Sequence, residues 1–274
     1  MAQEYIGAPV RRKEDRRFLT GQGQFVDDVT LPNLHHAAIL RSPHAHAQVL
    51  SIDTSSALEM EGVLDVITYK DIEAAVEPKP IPIRMRTYVG IERFLQYPLA
   101  NDKVRYVGEP VAVVVAKNRY LAEDALDAII VDYHLLPPVM DVWQSMKGDS
   151  LLFEEQGTNL AYGYASSLGD VERAFNEADY TRKEEFHCHR HTANPLETRG
   201  LVASYSSGRE EMTVWGETKV PHFNRGVLSS LLQMPEHRIH YIEPDVGGGF
   251  GVRGEFYPEN FLVPFAAKKC QVPV

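Results

Sequence analysis

Cysteine is nearly absent: Cys188 and Cys270 are the two in 274 residues. Two thiols build no disulfide framework, so a reducing cytoplasm is the expected setting. No apolar run approaches the about 20 residues that a helical membrane span needs. Basic patches are missing too: Arg11-Arg12-Lys13 runs straight into Glu14-Asp15, and the net charge is −10. That balance speaks against nucleic acid as a partner. The opening Met1-Ala2-Gln3-Glu4-Tyr5 lacks the regions of a signal peptide. Neither a Ser-His-Asp order nor G-x-S-x-G occurs, which leaves a serine hydrolase with little support. There is no internal repeat and no low-complexity tract.

What is present is ordinary for a globular chain of about two domains: 44% hydrophobic and 24% charged residues. Residues 1–20 read as an extended arm. Strand-like pieces flank the turn Ser42-Pro43, another covers residues 63–69, and Lys70-Asp71-Ile72-Glu73 opens a short helix. Pro78, Pro80 and Pro82 make residues 77–86 an extended loop. Residues 104–139 read as a βαβ-like unit. Val111 to Ala116 is continuously apolar, as a buried strand should be. Asn118 is placed as an N-cap, and Leu121, Ala125, Leu126 and Ile129 share a helical face. An irregular stretch, residues 137–160, marks a domain boundary. Beyond it come a helix capped by Asp170, with a stripe of Val171, Ala174, Phe175 and Ala178, and a strand over residues 180–191. A strand at 212–216, a helix at 221–233 burying Phe223, Val227, Leu228, Leu231 and Leu232, a strand at 238–242 and a helix at 258–269 complete the series. Gln271-Val272-Pro273-Val274 starts an extended segment where the chain stops, and reads as a truncation.

The densest signal is Asp245-Val246-Gly247-Gly248-Gly249-Phe250-Gly251, between the strand at 238–242 and the last helix. Glycines allow positive φ and let a backbone approach a bulky anionic ligand with its N–H groups. G-x-G-x-x-G fails, since the sixth position from Gly247 is Val252. A phosphate loop fails as well, because Glu255 follows Gly254 where lysine is required. The choice is between a tight turn and a cofactor site of another kind.

The other candidates are weaker. His187, His189 and His191 alternate around Cys188, so on a strand three imidazoles would share a face. Neighbours on one strand rarely wrap a tetrahedral ion alone, so packing and surface hydrogen bonding are the plainer reading. His35, His36, His44 and His46 fit strand–turn–strand. Glu197 and Glu217 have no partner at motif spacing, and Cys270 reads as a small buried hydrophobe.

Taken together, several segments resemble one family. They are Gly7-Ala8-Pro9-Val10-Arg11-Arg12-Lys13-Glu14-Asp15, Arg17-Phe18-Leu19-Thr20-Gly21-Gln22-Gly23, Arg41-Ser42-Pro43-His44-Ala45-His46-Ala47 and residues 104–112. Asn194-Pro195-Leu196-Glu197, Trp215-Gly216, Pro221-His222 and the glycine loop continue the series. The chain resembles the N-terminal part of the molybdenum-binding large subunit of the xanthine oxidase/aldehyde oxidase/aerobic carbon monoxide dehydrogenase family. The resemblance implies an α+β fold: an α/β-hammerhead domain over residues 1–140, then the first part of a molybdopterin-binding α+β domain over residues 141–274. It implies that Gly248, Gly249, Phe250 and Gly251 lie against molybdopterin, in the cytosine dinucleotide form and carrying molybdenum. Lys219 stands where family members commonly place a glutamine near the metal's oxo ligand. Gly254 stands where purine-oxidising members carry a glutamate, so the purine-binding pattern is not met there.

The reaction implied is hydroxylation of a carbon centre with oxygen from water, or oxidation of carbon monoxide. Electrons would pass to [2Fe-2S] centres and FAD. This chain has no iron–sulfur cysteine spacing, so those groups would sit on an iron–sulfur subunit and an FAD subunit, with a C-terminal remainder of the large subunit as a further partner. No catalytic residue and no metal ligand is assigned in this chain. Two alternatives stand beside this reading: a non-catalytic truncated fragment or scaffold holding partner subunits, and a nicotinamide-dependent oxidoreductase, against which the failed fingerprint speaks.

Overall fold

The computed structural model describes residues 6–84 and 90–274. The chain's first five residues and the last two of the proline-rich loop, Met85 and Arg86, lie outside the described residues. The arm expected over residues 1–20 contains a short helix, α1 (Asp15–Leu19). Asp15 in its first turn and Arg16 and Arg17 in its last match the helix dipole, a local charge pattern that the sequence reading passed over.

The first half of the chain then runs β1 (His36–Arg41), β2 (Ala47–Asp53), α2 (Ser55–Leu58), β3 (Val63–Ile67), α3 (Tyr69–Ala75), β4 (Lys103–Val104), β5 (Pro110–Ala116), α4 (Arg119–Leu126) and β6 (Ile130–Leu135). These strands form two antiparallel sheets, ordered β1-β5-β3 and β4-β2-β6. Asn118 caps α4 as expected, its Oδ1 accepting the Leu121 N–H at 3.0 Å. The βαβ expectation needs correcting, because β5 and β6 lie in different sheets. Continuous burial of β5 arises from its central antiparallel position. Val113 and Val115 face one apolar cluster, while Ala112, Val114 and Ala116 face another beneath α4. A strand covered on both faces reads as an unbroken apolar run whatever the direction of its neighbours.

The second half runs α5 (Val142–Lys147), α6 (Val171–Glu177), β7 (Leu201–Ser206), β8 (Glu211–Gly216), α7 (Pro221–Leu232), β9 (Ile239–Ile242) and α8 (Pro258–Cys270). Its sheet is ordered β7-β8-β9, antiparallel at the first pairing and parallel at the second. A parallel neighbour requires a crossover, and α7 supplies it. Val227, Leu228, Leu231 and Leu232 of α7 are buried, as are Phe261, Leu262 and Phe265 of α8. Phe223 is only partly covered; the inward place one residue on belongs to Asn224. The expected extended tail forms only at its end: Gln271 caps α8 in the left-handed conformation, while Ala203 and Val274 exchange backbone hydrogen bonds of 2.8 and 2.9 Å. One apolar core joins the halves: Ile67, Val113 and Val115 share it with Val214, Leu228, Phe261 and Phe265.

One expectation between residues 160 and 200 fails. Residues 180–191 form no strand, and among the described residues no other segment pairs with them. A strand needs a ladder partner for its backbone groups, and the sequence pattern of one strand cannot provide it. The helix capped by Asp170 does form, with the Asp170 side chain accepting from the Arg173 N–H. Val171 and Phe175 of its apolar stripe are exposed, and Ala178 follows the helix as its C-cap. No helix among the described residues is long and apolar enough to cross a membrane.

Candidate functional site

Parallel strands β8 and β9 end at the same sheet edge, where Trp215 is paired with Ile242. Beyond β8 the chain continues as Glu217-Thr218-Lys219; beyond β9 it continues into the glycine loop. Ligands gather at such carboxyl edges because loops there converge from adjacent strands. The two segments do meet. The Lys219 N–H donates to the Arg253 carbonyl at 3.1 Å, and Thr218 Oγ1 lies 3.4 Å from that oxygen. A Cβ placed on Gly254 would stand 2.7 Å from Lys219 Cε. The missing side chain at 254 thus makes room for the lysine stem. Among the described residues no carboxylate pairs with the Lys219 ammonium.

Within the loop the glycines serve different ends. Gly247 admits Glu197: a Cβ there would fall 2.5 Å from that residue's own Cβ. Gly248 has φ +110°, and a Cβ there would press on Pro195 at 2.9 Å. Gly249 and Gly251 have nothing within 4 Å of their added Cβ. Between them Phe250 adopts φ +45° and is 80% exposed. A bulky residue at positive φ is uncommon and costs energy. The loop therefore packs through its first two glycines and turns an open face outward through Gly249, Phe250 and Gly251. None of the hydrogen bonds among the described residues is donated by those three N–H groups.

Behind the loop lies Arg253, its side chain only 2% exposed. Nε donates to the Gly248 carbonyl at 2.6 Å, and Nη2 donates to the Glu197 carbonyl at 2.7 Å. Nη1 pairs with Glu217, whose carboxylate also accepts the Gly200 N–H at 2.9 Å. Glu197 in turn accepts the Gly247 N–H at 2.6 Å. Burial pushes the Glu217 carboxyl above the usual carboxylate range, with the Arg253 charge opposing it. The sequence reading left Glu197 and Glu217 as lone carboxylates and missed Arg253. All three form one cluster, with Glu217 and Arg253 buried and Glu197 partly covered. The signal available was an arginine set inside a glycine-rich turn, where burial demands carbonyls and carboxylates around it.

Asp245 fixes the start of the loop. Arg17 of α1 grips it with both terminal nitrogens, and the Gln24 N–H donates to it at 2.8 Å. A groove of about 560 Å³ runs where this arm meets the sheet, lined by Arg17, Gln24, Asp28, Trp215, Ile242 and Asp245 among others, and residues 247–251 do not line it. The remaining sequence candidates do not assemble. His187, His189 and His191 are exposed on an irregular segment, and the described residues contain no histidine, cysteine and carboxylate group able to hold a metal. Cys270 is partly covered, and burial next to Asp65 pushes its thiol up to about 12, which suits a packing role.

A family model for the aldehyde oxidase and xanthine dehydrogenase a/b hammerhead domain matches residues 20–137, and one for the molybdopterin cofactor-binding domain matches residues 152–274. The chain belongs to the xanthine oxidase/aldehyde oxidase/aerobic carbon monoxide dehydrogenase family. It is 39% identical to the nicotine 6-hydroxylase large subunit of Paenarthrobacter nicotinovorans, over 100% of this chain and 33% of that one. It is 36% identical to the carbon monoxide dehydrogenase large chain of Afipia carboxidovorans, over 98% and 34% respectively. The solved structure of quinoline 2-oxidoreductase from Pseudomonas putida 86 superposes with a TM-score of 0.85 at 34% identity, over 97% of this chain and 33% of that one. The chain thus spans about a third of the length of the curated relatives it matches. The family assignment accords with the fold class expected from the sequence, a hammerhead followed by molybdopterin-binding α+β structure. It also places the open glycine loop inside the segment matched as molybdopterin cofactor-binding.

Proposed function

We propose that this chain provides one wall of the molybdenum-cofactor site in the large subunit of a molybdenum hydroxylase or carbon monoxide dehydrogenase-like oxidoreductase. The observation that carries the reading is the outward face of the loop. Gly249 and Gly251 have empty space where side chains would be, Phe250 is 80% exposed, and the three N–H groups donate to no acceptor among the described residues. That surface suits a flat, electron-rich group such as molybdopterin, which needs close backbone approach, donors and an apolar wall. Gly248, Gly249, Phe250 and Gly251 would hold the cofactor, and the Lys219 ammonium would stand at its edge as a cationic donor. When bound, the cofactor supplies the two-electron oxidation chemistry. This chain's residues bind and orient it, and none of them is assigned a proton-transfer role.

The same reading divides the chain near residue 140 into hammerhead and cofactor-binding parts. It assigns the cytosine dinucleotide form of molybdopterin, FAD and [2Fe-2S] centres to the complete assembly, with the last two on partner subunits, in the cytoplasm. Leu160, Tyr164, Leu168, Phe175, Tyr180 and Phe186 are all exposed between residues 160 and 186, and so much apolar surface suits cover by the rest of the large subunit or a partner. The test is native mass spectrometry of the protein from its own source, with molybdenum, iron and flavin quantified in the same fraction. A large complex carrying all three is expected. A lone species free of molybdenum would replace the enzyme reading with the scaffold one.

A further inference from the structure

We infer that Arg253 is a positioning residue that aims the Gly249 N–H out of the loop by holding the Gly248 carbonyl from behind. A peptide group is planar and trans, so its C=O and the following N–H point in opposite directions. Arg253 Nε holds the Gly248 oxygen on the inner side at 2.6 Å. The N–H of Gly249, across the same peptide plane, then projects to the outer side, and it donates to no acceptor among the described residues. A glycine peptide has little else to fix its orientation. Gly248 is in the left-handed region, Gly249 carries no side chain, and rotation of the pair about its flanking bonds meets few barriers.

The guanidinium is itself locked. Glu217 pairs with Nη1, and the carbonyl and carboxylate of Glu197 take Nη2 at 2.7 and 3.4 Å. Glu197 also holds the Gly247 N–H at 2.6 Å, while its own N–H approaches the Gly247 carbonyl at 3.4 Å. Residues 197, 217 and 253 come from three separated stretches, so the loop is fastened to the segment before β7 and to the end of β8 at once. A planar fork serving two carbonyls and two carboxylates is a task that lysine, a point donor, performs only in part. Arg253 has almost no exposed surface, so it acts on a bound cofactor only through the loop backbone. The inference rests on the proposed molybdenum site for what the aimed N–H would meet; the orientation itself does not depend on it.

The experiment uses the complete enzyme from its own source carrying Arg253→Met, Arg253→Lys or Glu217→Gln. It reads hydrogen exchange of peptides covering residues 245–254, molybdenum per large subunit, and the paramagnetic resonance signature of the dithionite-reduced metal. In R253M, loop exchange should rise about tenfold or more, and the metal signature should shift or molybdenum content should fall by a similar factor, the size typical of losing a group that orients a metal site. R253K should lie between R253M and the parent, since it restores the charge facing Glu217 and one carbonyl contact. If R253M does not fold, E217Q carries the test: faster exchange confined to residues 245–254 supports the inference. Loop exchange and a metal signature like the parent's, or acceleration spread evenly over every element, would overturn it. A parent enzyme without molybdenum would remove the proposed function and leave the exchange result to decide the role of Arg253.

Discussion

Gly248 and Gly249 are adjacent and identical in type, yet one substitution separates their duties. Alanine at 248 must adopt φ near +110° and place its methyl 2.9 Å from Pro195. That conformation costs an L-residue about 1–3 kcal/mol, so Gly248→Ala should lower the melting temperature. Alanine at 249 meets nothing within 4 Å. Gly249→Ala should therefore stay within about 0.5 kcal/mol of the parent in stability. Its methyl would nevertheless project from the face proposed for molybdopterin, so molybdenum content should drop. Calorimetry and metal analysis on the two variants check both halves, and equal destabilisation by both would contradict this division. The cysteines are set apart in the same way. Cys188 is exposed, while the Cys270 thiol is pushed up to about 12 by burial and by Asp65. Since the thiolate is the reacting form, iodoacetamide at pH 8 should label Cys188 and leave Cys270 largely unmodified, as read by peptide mass spectrometry.

Helix α1 is five residues long and holds no buried residue, so its place depends on tethering. Arg17 to Asp245 is the tether, and the two N–H donors of Arg17 together with the Gln24 N–H hold the Asp245 carboxyl down at about 2. A depressed carboxylate favours the docked state fully above its free value, near about 4 for aspartate, and loses that effect as pH falls through the docked value. Residues 15–25 should therefore become open to exchange and proteolysis between about pH 4 and pH 2. Arg17→Gln should open them at neutral pH. Elements of this kind also show what a sequence discloses. Helix α4 was legible because its cap and apolar face are spaced within one helix, and β5 because its whole length is apolar. The strand expected at residues 180–191 had the right local pattern but needs a partner that local pattern cannot name. Arg253 was missed for a related reason: its loop offers one acceptor, the Gly248 carbonyl, but its partners Glu197 and Glu217 come from two other stretches that only the fold brings to it.

On the scale of the whole molecule, packing is uneven. A single core runs from Ile67 through Val214 to Phe265 and binds both halves of the chain. From about residue 160 to 199 the chain instead lies on the outside, with Leu160, Tyr164, Leu168, Phe175, Tyr180, Phe186 and Leu196 exposed. Monomeric proteins seldom leave so much large apolar surface uncovered, and an irregular backbone without a sheet partner opens at low energetic cost. The glycine loop differs although it too presents an open face, because Arg253, Glu197 and Asp245 anchor it from behind and from its start. The two exposed regions should therefore respond differently to protease. In the chain prepared alone, cleavage should begin within residues 160–199, while residues 245–254 outlast it. In the proposed molybdenum-containing assembly the 160–199 cuts should be slowed strongly, because the proposed function has the remainder of the subunit or a partner cover that surface. Equal cleavage of residues 160–199 in both preparations would mean that this surface faces solvent in the working enzyme, and the exposed aromatic residues would then need another explanation than cover by the remaining subunit.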